Sequence, residues 1–254
     1  MNVLVTSGGT SEKIDSVRGI SNISTGRLGS LIAGRFAEEA DVDKIYYICS
    51  GTAVRPDCGK TQIIPADSVA DLESAVRNLL GKTKIDIIIH SMAVSDYRVR
   101  AVSSADALAL ALAQCYDNTG EADIREKLAE LIKSHGTDEK SAGKLPSDKD
   151  DMLLFMERTP KIIPIFGELS PQSTLVGFKL LDGVPLQALI DRGRQILTQN
   201  KCAFVLANDL RDISDTGHIG YLIGKDGGYT RHTSKSEIAD AIVCAAVGER
   251  RRLI

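Results

Sequence analysis

The chain has 254 residues, 43% of them hydrophobic and 26% charged, with 31 Lys and Arg against 34 Asp and Glu and a formal net charge of -3. This suffices for one large α/β domain, excludes intrinsic disorder, and lacks the basic excess of a non-specific nucleic-acid binder. No apolar run reaches the roughly 20 residues of a membrane span, and the opening MNVLVTSGG lacks the regions of a signal peptide, so a cytoplasmic protein with no membrane or nucleic-acid partner is expected.

Asn2 to Thr6 (NVLVT) reads as a buried strand and Ser7 to Thr25 as a long polar loop. Gly26 to Ala40 then reads as a helix with Leu28, Leu31, Ile32 and Phe36 on one face. Strands follow at Lys44 to Cys49 and Thr61 to Pro65, a helix at Ser68 to Leu80, and a strand at Asp86 to His90. The alternation then lapses into an excursion over about 101–156, with helices at Ala105 to Cys115 and Ala122 to Ser134 and a polar stretch from Gly136 to Gly143. It resumes with Met152 to Met156, a short helix begun by Pro160, the strand Thr174 to Leu180, a helix from Leu186 to Thr198 and the strand Ala203 to Leu206. Tyr221 to Ile223 and Gly228 to Thr230 flank a turn that predicts a hairpin, and a helix over Ser236 to Val247 closes the chain. The expected architecture is a Rossmann-like open α/β fold, its mostly parallel sheet covered by helices on both faces, in a single domain over 1–254.

The five cysteines, Cys49, Cys58, Cys115, Cys202 and Cys244, are scattered and form no CxxC pair, so they read as small buried apolar residues rather than disulfides or a zinc site. Gly8 and Gly9 in the first βα connection allow a tight turn that presents N–H groups to a phosphate. The fingerprint GxGxxG is absent, and no acidic residue ends the second strand (KIYYICSG), which disfavours an ordinary NAD site. In the segment from Arg18 to Gly26, Ser24 or Thr25 is expected to N-cap the helix whose positive end faces the loop. Arg18 offers a fork for phosphate or carboxylate, and the Asn22 amide can both donate and accept. Ala93 and Asp96 follow the strand ending at His90, on the edge where open α/β sheets bind ligands. His90 itself reads as a core histidine.

The blocks VTSGGTSEKID, VRGISNISTGRLG, HSMAVSDY, GKLPS, RTPKII, LVGFKL and LANDL, in this order and spacing, resemble phosphopantothenoylcysteine synthetase in its stand-alone bacterial form, along almost the whole chain. The resemblance implies a ligase of coenzyme A biosynthesis that joins 4'-phosphopantothenate to L-cysteine through an acyl-nucleotide, with CTP more expected than ATP, with Mg²⁺, and as a homodimer. It implies catalytic roles for Asn22, Arg18 and Lys144, the last on a mobile loop. It further implies nucleotide contacts from Gly8, Gly9, Ser24, Thr25, Gly26, Ala93, Asp96, Phe178, Lys179, Asn208 and Asp209. Metal ligands are not assigned, and Gln195 and Gln199 stand where many relatives carry basic residues, which leaves the triphosphate contacts and nucleotide preference open. The competing readings are an NADPH-dependent reductase of the same architecture, opposed by the missing GxGxxG, and a non-catalytic nucleotide sensor.

Overall fold

The computed structural model describes residues 1–117, 124–136, 151–214 and 217–253, and their packing forms two compact units. The first comprises Met1–Thr10, Asn22–Val94 and Lys161–Ile254; the second comprises Ser11–Ser21 and Ser95–Pro160.

In the first unit the strands are β1 (Asn2–Ser7), β4 (Lys44–Cys49), β5 (Thr61–Pro65), β6 (Ile87–His90), β9 (Thr174–Leu181), β10 (Phe204–Asp209), β11 (Gly220–Gly224) and β12 (Tyr229–His232). Among the described residues they form one eight-stranded sheet in the order β12-β11-β10-β9-β6-β1-β4-β5. The run from β5 to β10 is parallel, and β11 and β12 add the expected antiparallel hairpin, whose turn places Gly227 at φ 78°. Alternate residues of a strand face opposite sides, and the core follows that rule. Val3 and Val5 pack with α1 (Arg27–Glu38) and α7 (Lys235–Leu253), whereas Leu4 and Ile88 pack with α2 (Val69–Leu80) and α5 (Ile163–Leu169). The face of Leu4 continues through Val205 and Ala207 to α6 (Leu186–Gln199), whose Leu189 and Ile190 cover Ala207 and Ile223. Helices therefore cover both faces, as the strand pattern predicts.

Local chemistry accounts for the element ends. Ser68 and Asp71 form a reciprocal capping box at the start of α2, the kind of cap worth about 1 kcal/mol. At the end of α6 the Cys202 N–H bonds to the Leu197 carbonyl and the Lys201 N–H to the Thr198 carbonyl, a Schellman closure. That closure needs a left-handed residue, and Lys201 supplies it at φ 52°, where a side chain costs about 1 kcal/mol relative to glycine. Two expectations change at this level. Leu31 is 42% exposed while Gly29, Ile32, Ala33 and Phe36 are buried, because the inward stripe of α1 runs one residue away from Leu31. The α5 helix begins at Ile163 with Pro164 in its first turn, not at Pro160.

The second unit holds three strands the sequence pattern did not indicate, β2 (Ser11–Lys13), β3 (Gly19–Ser21) and β7 (Tyr97–Ser103), and one, β8 (Leu153–Arg158), that overlaps the segment Met152 to Met156 where the alternation was expected to resume. β2 pairs antiparallel with β3 inside the predicted loop, and β7 pairs with β8. Ile14, Val99 and Val102, joined by Ile20 and Leu154, form its small core. The helices α3 (Ala105–Asp117) and α4 (Ile124–Ser134) fall where the periodicity predicts them. No helix among the described residues is long and apolar enough to cross a membrane.

Candidate functional site

Counting only the parallel strands, chain order reads third, second, first, fourth, fifth, sixth across the sheet, so its direction of growth reverses between β1 and β6. Ligands of open α/β sheets bind beyond the strand ends at such a reversal. Here those ends are stitched by backbone bonds. The Ala93 N–H donates to the Gly8 carbonyl at 2.8 Å, the Thr10 N–H to the Ala93 carbonyl at 3.0 Å, and the Asn22 N–H to the Thr10 carbonyl at 3.0 Å. Asn22 is thereby tied to both strand ends, with Gly9 closely packed against it: a Cβ on Gly9 would lie 2.1 Å from the Asn22 carbonyl oxygen. Gly8, Gly9, Asn22 and Ala93 are thus brought together.

The entry to α1 corrects the expected cap. Gly26, at φ 71°, occupies the N-cap position and has no side chain, while Thr25 Oγ1 stands 3.5 Å from the Arg27 N and Ser24 makes no cap. Thr25 is instead held by its carbonyl, which accepts from the Val54 N–H, and the Gly26 carbonyl accepts from Ser7 Oγ at 3.1 Å. The first-turn N–H groups of α1 are left without a side-chain cap, an arrangement suited to an anion. Ser50, just past the end of β4, was not singled out in the sequence. It is 3% exposed, its Oγ has no hydrogen-bond partner, and a Cβ on Gly8 would lie 2.6 Å from that oxygen. Its only sequence signal is its position after the second parallel strand, where an acidic residue is absent.

Strand alternation separates the remaining candidates. Phe178 packs toward the α1 and α7 face, so its neighbour Lys179 points to the opposite face. Asn208 is buried, with Nδ2 3.3 Å from Nε2 of His218. Burial pushes His218 down to about 4, helped by Lys235, and its Nδ1 lacks a partner. Asp209 is committed to the backbone: its oxygens accept from the N–H groups of Gly183, Val184 and Arg211, each at 2.9 Å. These bonds, that from Gly183 foremost, hold its carboxyl below the usual carboxylate range. Asp209 therefore shapes the loop before α6.

In the second unit Arg18 directs Nε and Nη2 at Asp15 Oδ2, at 2.8 and 2.6 Å. The Asp15 side chain is fully buried, and its other oxygen accepts from the N–H groups of Val17 and Arg18. The Asp96 carbonyl accepts from the Thr159 N–H, and the Asp96 side chain is exposed. Lys144 lies outside the described residues. His90 is a core residue, as read: Nδ1 lies 2.8 Å from Thr6 Oγ1, the ring meets Phe166 edge-on at 5.0 Å, and burial pushes it down to about 4. Cys49 and Cys202 are buried, but Cys244 is exposed, contrary to a uniformly buried set. Among the described residues no three His, Cys, Asp or Glu side chains cluster to hold a metal.

Residues 1–131 and 113–248 match the family described as DNA/pantothenate metabolism flavoprotein C-terminal domain. The coenzyme A biosynthesis bifunctional protein CoaBC of Thermococcus kodakarensis is 29% identical over 226 residues, 88% of this chain and 45% of that protein. The chain spans about half the length of the curated relatives it matches along most of its length. The crystal structure of the DNA/pantothenate metabolism flavoprotein from Streptococcus pneumoniae is 31% identical, with a TM-score of 0.79 over 98% of this chain and 99% of that one. A Cab2 mutant in complex with phosphopantothenate-cysteine shares the fold at 15% identity and a TM-score of 0.68, over 99% of this chain and 87% of that one. With its family match and its eight-stranded, mostly parallel sheet, this chain belongs to the DNA/pantothenate metabolism flavoprotein C-terminal domain family.

Proposed function

We propose that the protein is a ligase joining the carboxylate of 4'-phosphopantothenate to the amine of L-cysteine, at the expense of a nucleoside triphosphate. The observation that carries this reading is the clamp of Asn22 against Gly9 at the sheet reversal, beside the uncapped start of α1. Membership of the family supports it, as do relatives whose name is coenzyme A biosynthesis bifunctional protein.

In the first step a carboxylate oxygen attacks the α-phosphate and pyrophosphate leaves; in the second the cysteine amine attacks the acyl carbon, the nucleoside monophosphate leaves, and the amine proton is lost to solvent. The α1 N-terminus and the glycine turn would hold phosphate oxygens by backbone N–H groups. Asn22 would present its side-chain amide to the acyl-nucleotide, donating to an oxygen that gains charge. Phe178 and Asn208, on the side of the sheet that carries α1, would face the nucleotide base. Arg18, Asp96 and Lys144 are assigned to the substrate by their matching motifs alone. The described residues offer no all-protein metal cage, which suits Mg²⁺, since that ion is commonly held by substrate phosphates and one or two carboxylates. The chemistry that Mg²⁺ would supply is charge screening of the triphosphate. CTP is the proposed nucleotide, the cytoplasm the proposed location and a homodimer the proposed assembly.

Pyrophosphate release with Mg²⁺, 4'-phosphopantothenate and cysteine, run with CTP and with ATP, tests the assignment. Release that depends on 4'-phosphopantothenate is expected, faster with CTP, and Asn22→Ala should bind triphosphate yet lose most amide formation. No release with either nucleotide from folded protein would remove the ligase reading.

A further inference from the structure

Asn208, near the end of β10, lies on the face of the sheet that carries α1, in alternation with the core residue Leu206. Its register partner on β9 is Leu180, which is 47% exposed and shares that face with Phe178. Among the described residues the Asn208 side chain makes one hydrogen bond, from Nδ2 to Nε2 of His218 at 3.3 Å. Its Oδ1 has no partner, and although the residue is 7% exposed this oxygen is not among the atoms sealed from solvent. The amide is thus held by its nitrogen and open at its oxygen.

His218 is itself fixed by the backbone. Its N–H donates to the Thr233 carbonyl at 3.1 Å, it bridges to Ile213, and the next N–H, of Ile219, donates to the Asp212 carbonyl at 3.2 Å. Burial keeps the imidazole neutral at pH 7, so one ring nitrogen accepts and the other carries the proton. With Nε2 accepting from Asn208 the proton lies on Nδ1, which is buried without a partner. Packing gives no reason for that, since an apolar ring in the same space would leave no orphaned N–H. The contact with Asn208 does, because an amide that turns over exchanges its donor for its acceptor unless a neighbour fixes it. We propose that His218 is a positioning residue that turns the Asn208 oxygen towards the nucleotide base, and that the pair thereby selects the amino group of cytosine over the corresponding oxygen of uracil. The proposal rests on the nucleotide of the ligase reading. An amino group donates to Oδ1, whereas the uracil oxygen would set two acceptors against each other, and Phe178 and Leu180 offer apolar surface to a flat ring.

Calorimetric titration of the full chain with CTP and with UTP, each with Mg²⁺, reads the selection as a ratio of dissociation constants. The parent should prefer CTP by about tenfold or more. His218→Phe fills the same space without an acceptor and should bring the ratio near one, chiefly by weakening CTP, while His218→Gln, whose carbonyl can accept in place of Nε2, should restore most of it. An imidazole with a merely structural role would affect both nucleotides alike and leave the ratio unchanged. Asn208→Ala should erase the ratio with the imidazole intact, which keeps the test decisive if His218→Phe does not fold. Equal binding of CTP and UTP by the parent would overturn the proposal, as would a preference for UTP, or a ratio that survives in Asn208→Ala or in folded His218→Phe. Pyrophosphate release by the parent decides the ligase reading on its own, so a surviving ratio in an enzyme that releases pyrophosphate defeats this inference alone.

Discussion

Gly9 and Asn22 approach so closely that a Cβ on Gly9 would lie 2.1 Å from the Asn22 carbonyl oxygen and 3.0 Å from its carbonyl carbon. The approach fixes where the Asn22 side chain starts, and the backbone bond from Asn22 to Thr10 keeps it there.

Gly9→Ala should therefore displace Asn22 while the sheet persists. Because misplacing a positioned group by roughly an ångström costs on the order of a hundredfold in rate, amide formation is expected to fall by about that factor. Steady-state product formation, checked against an unchanged circular dichroism spectrum, measures it; an unchanged rate would disconnect Gly9 from catalysis.

Arg18→Ala should destabilise the protein as well as impair substrate binding. Asp15 is fully buried and would keep two backbone N–H donors while losing its guanidinium, a loss of about 1–3 kcal/mol. Arg18→Lys should recover part of the stability, since a lysine restores the charge without the fork. Urea unfolding of both variants decides; equal stability of Arg18→Ala and the parent would show that Asp15 needs no cation.

Acid should weaken the fold in a window set by the histidines. His90 and His218 are both pushed down to about 4 by burial, against 6.5 for an ordinary imidazole. The unfolded chain therefore binds protons that the folded chain refuses, so stability is full above about pH 6.5 and declines as pH falls towards 4. For His90 alone the loss is on the order of 3 kcal/mol. Asp209 and Glu237, whose carboxyls are held low by backbone donors, add their losses only below the ordinary carboxylate range. Unfolding free energy measured from pH 7 to 4 should show the decline, and His90→Asn should flatten it; an identical slope in that variant would exclude His90 as its source.

Thiol labelling should separate the cysteines by burial. Cys202 is pushed up to about 12 by burial and Cys49 is also raised, while Cys244 is exposed. At pH 8 a thiol reagent should modify Cys244 rapidly and reach Cys49 and Cys202 only after denaturation, as read by peptide mass spectrometry. Rapid native labelling of Cys202 would contradict its burial in the core.

The parallel strands, the covering helices and the blocks at the strand ends were legible in the sequence, because burial on two faces writes runs such as DIIIH and helical spacing such as Val69, Leu72, Val76 and Leu79 directly into the chain. Three-residue strands such as β2 and β3 leave no period to read, and β7 is paired by β8 across the whole excursion. Motif position brought Asn22, Gly9 and Ala93 onto one list, but their mutual bonds, the glycine in place of a side-chain cap at Gly26, the commitment of Asp209 to the loop before α6 and the orphaned hydroxyl of Ser50 came only with the fold. Periodicity reports which face of an element is buried. Which distant residue meets that face is decided by packing and by the pairing of every buried backbone group, and these couple residues far apart in the chain.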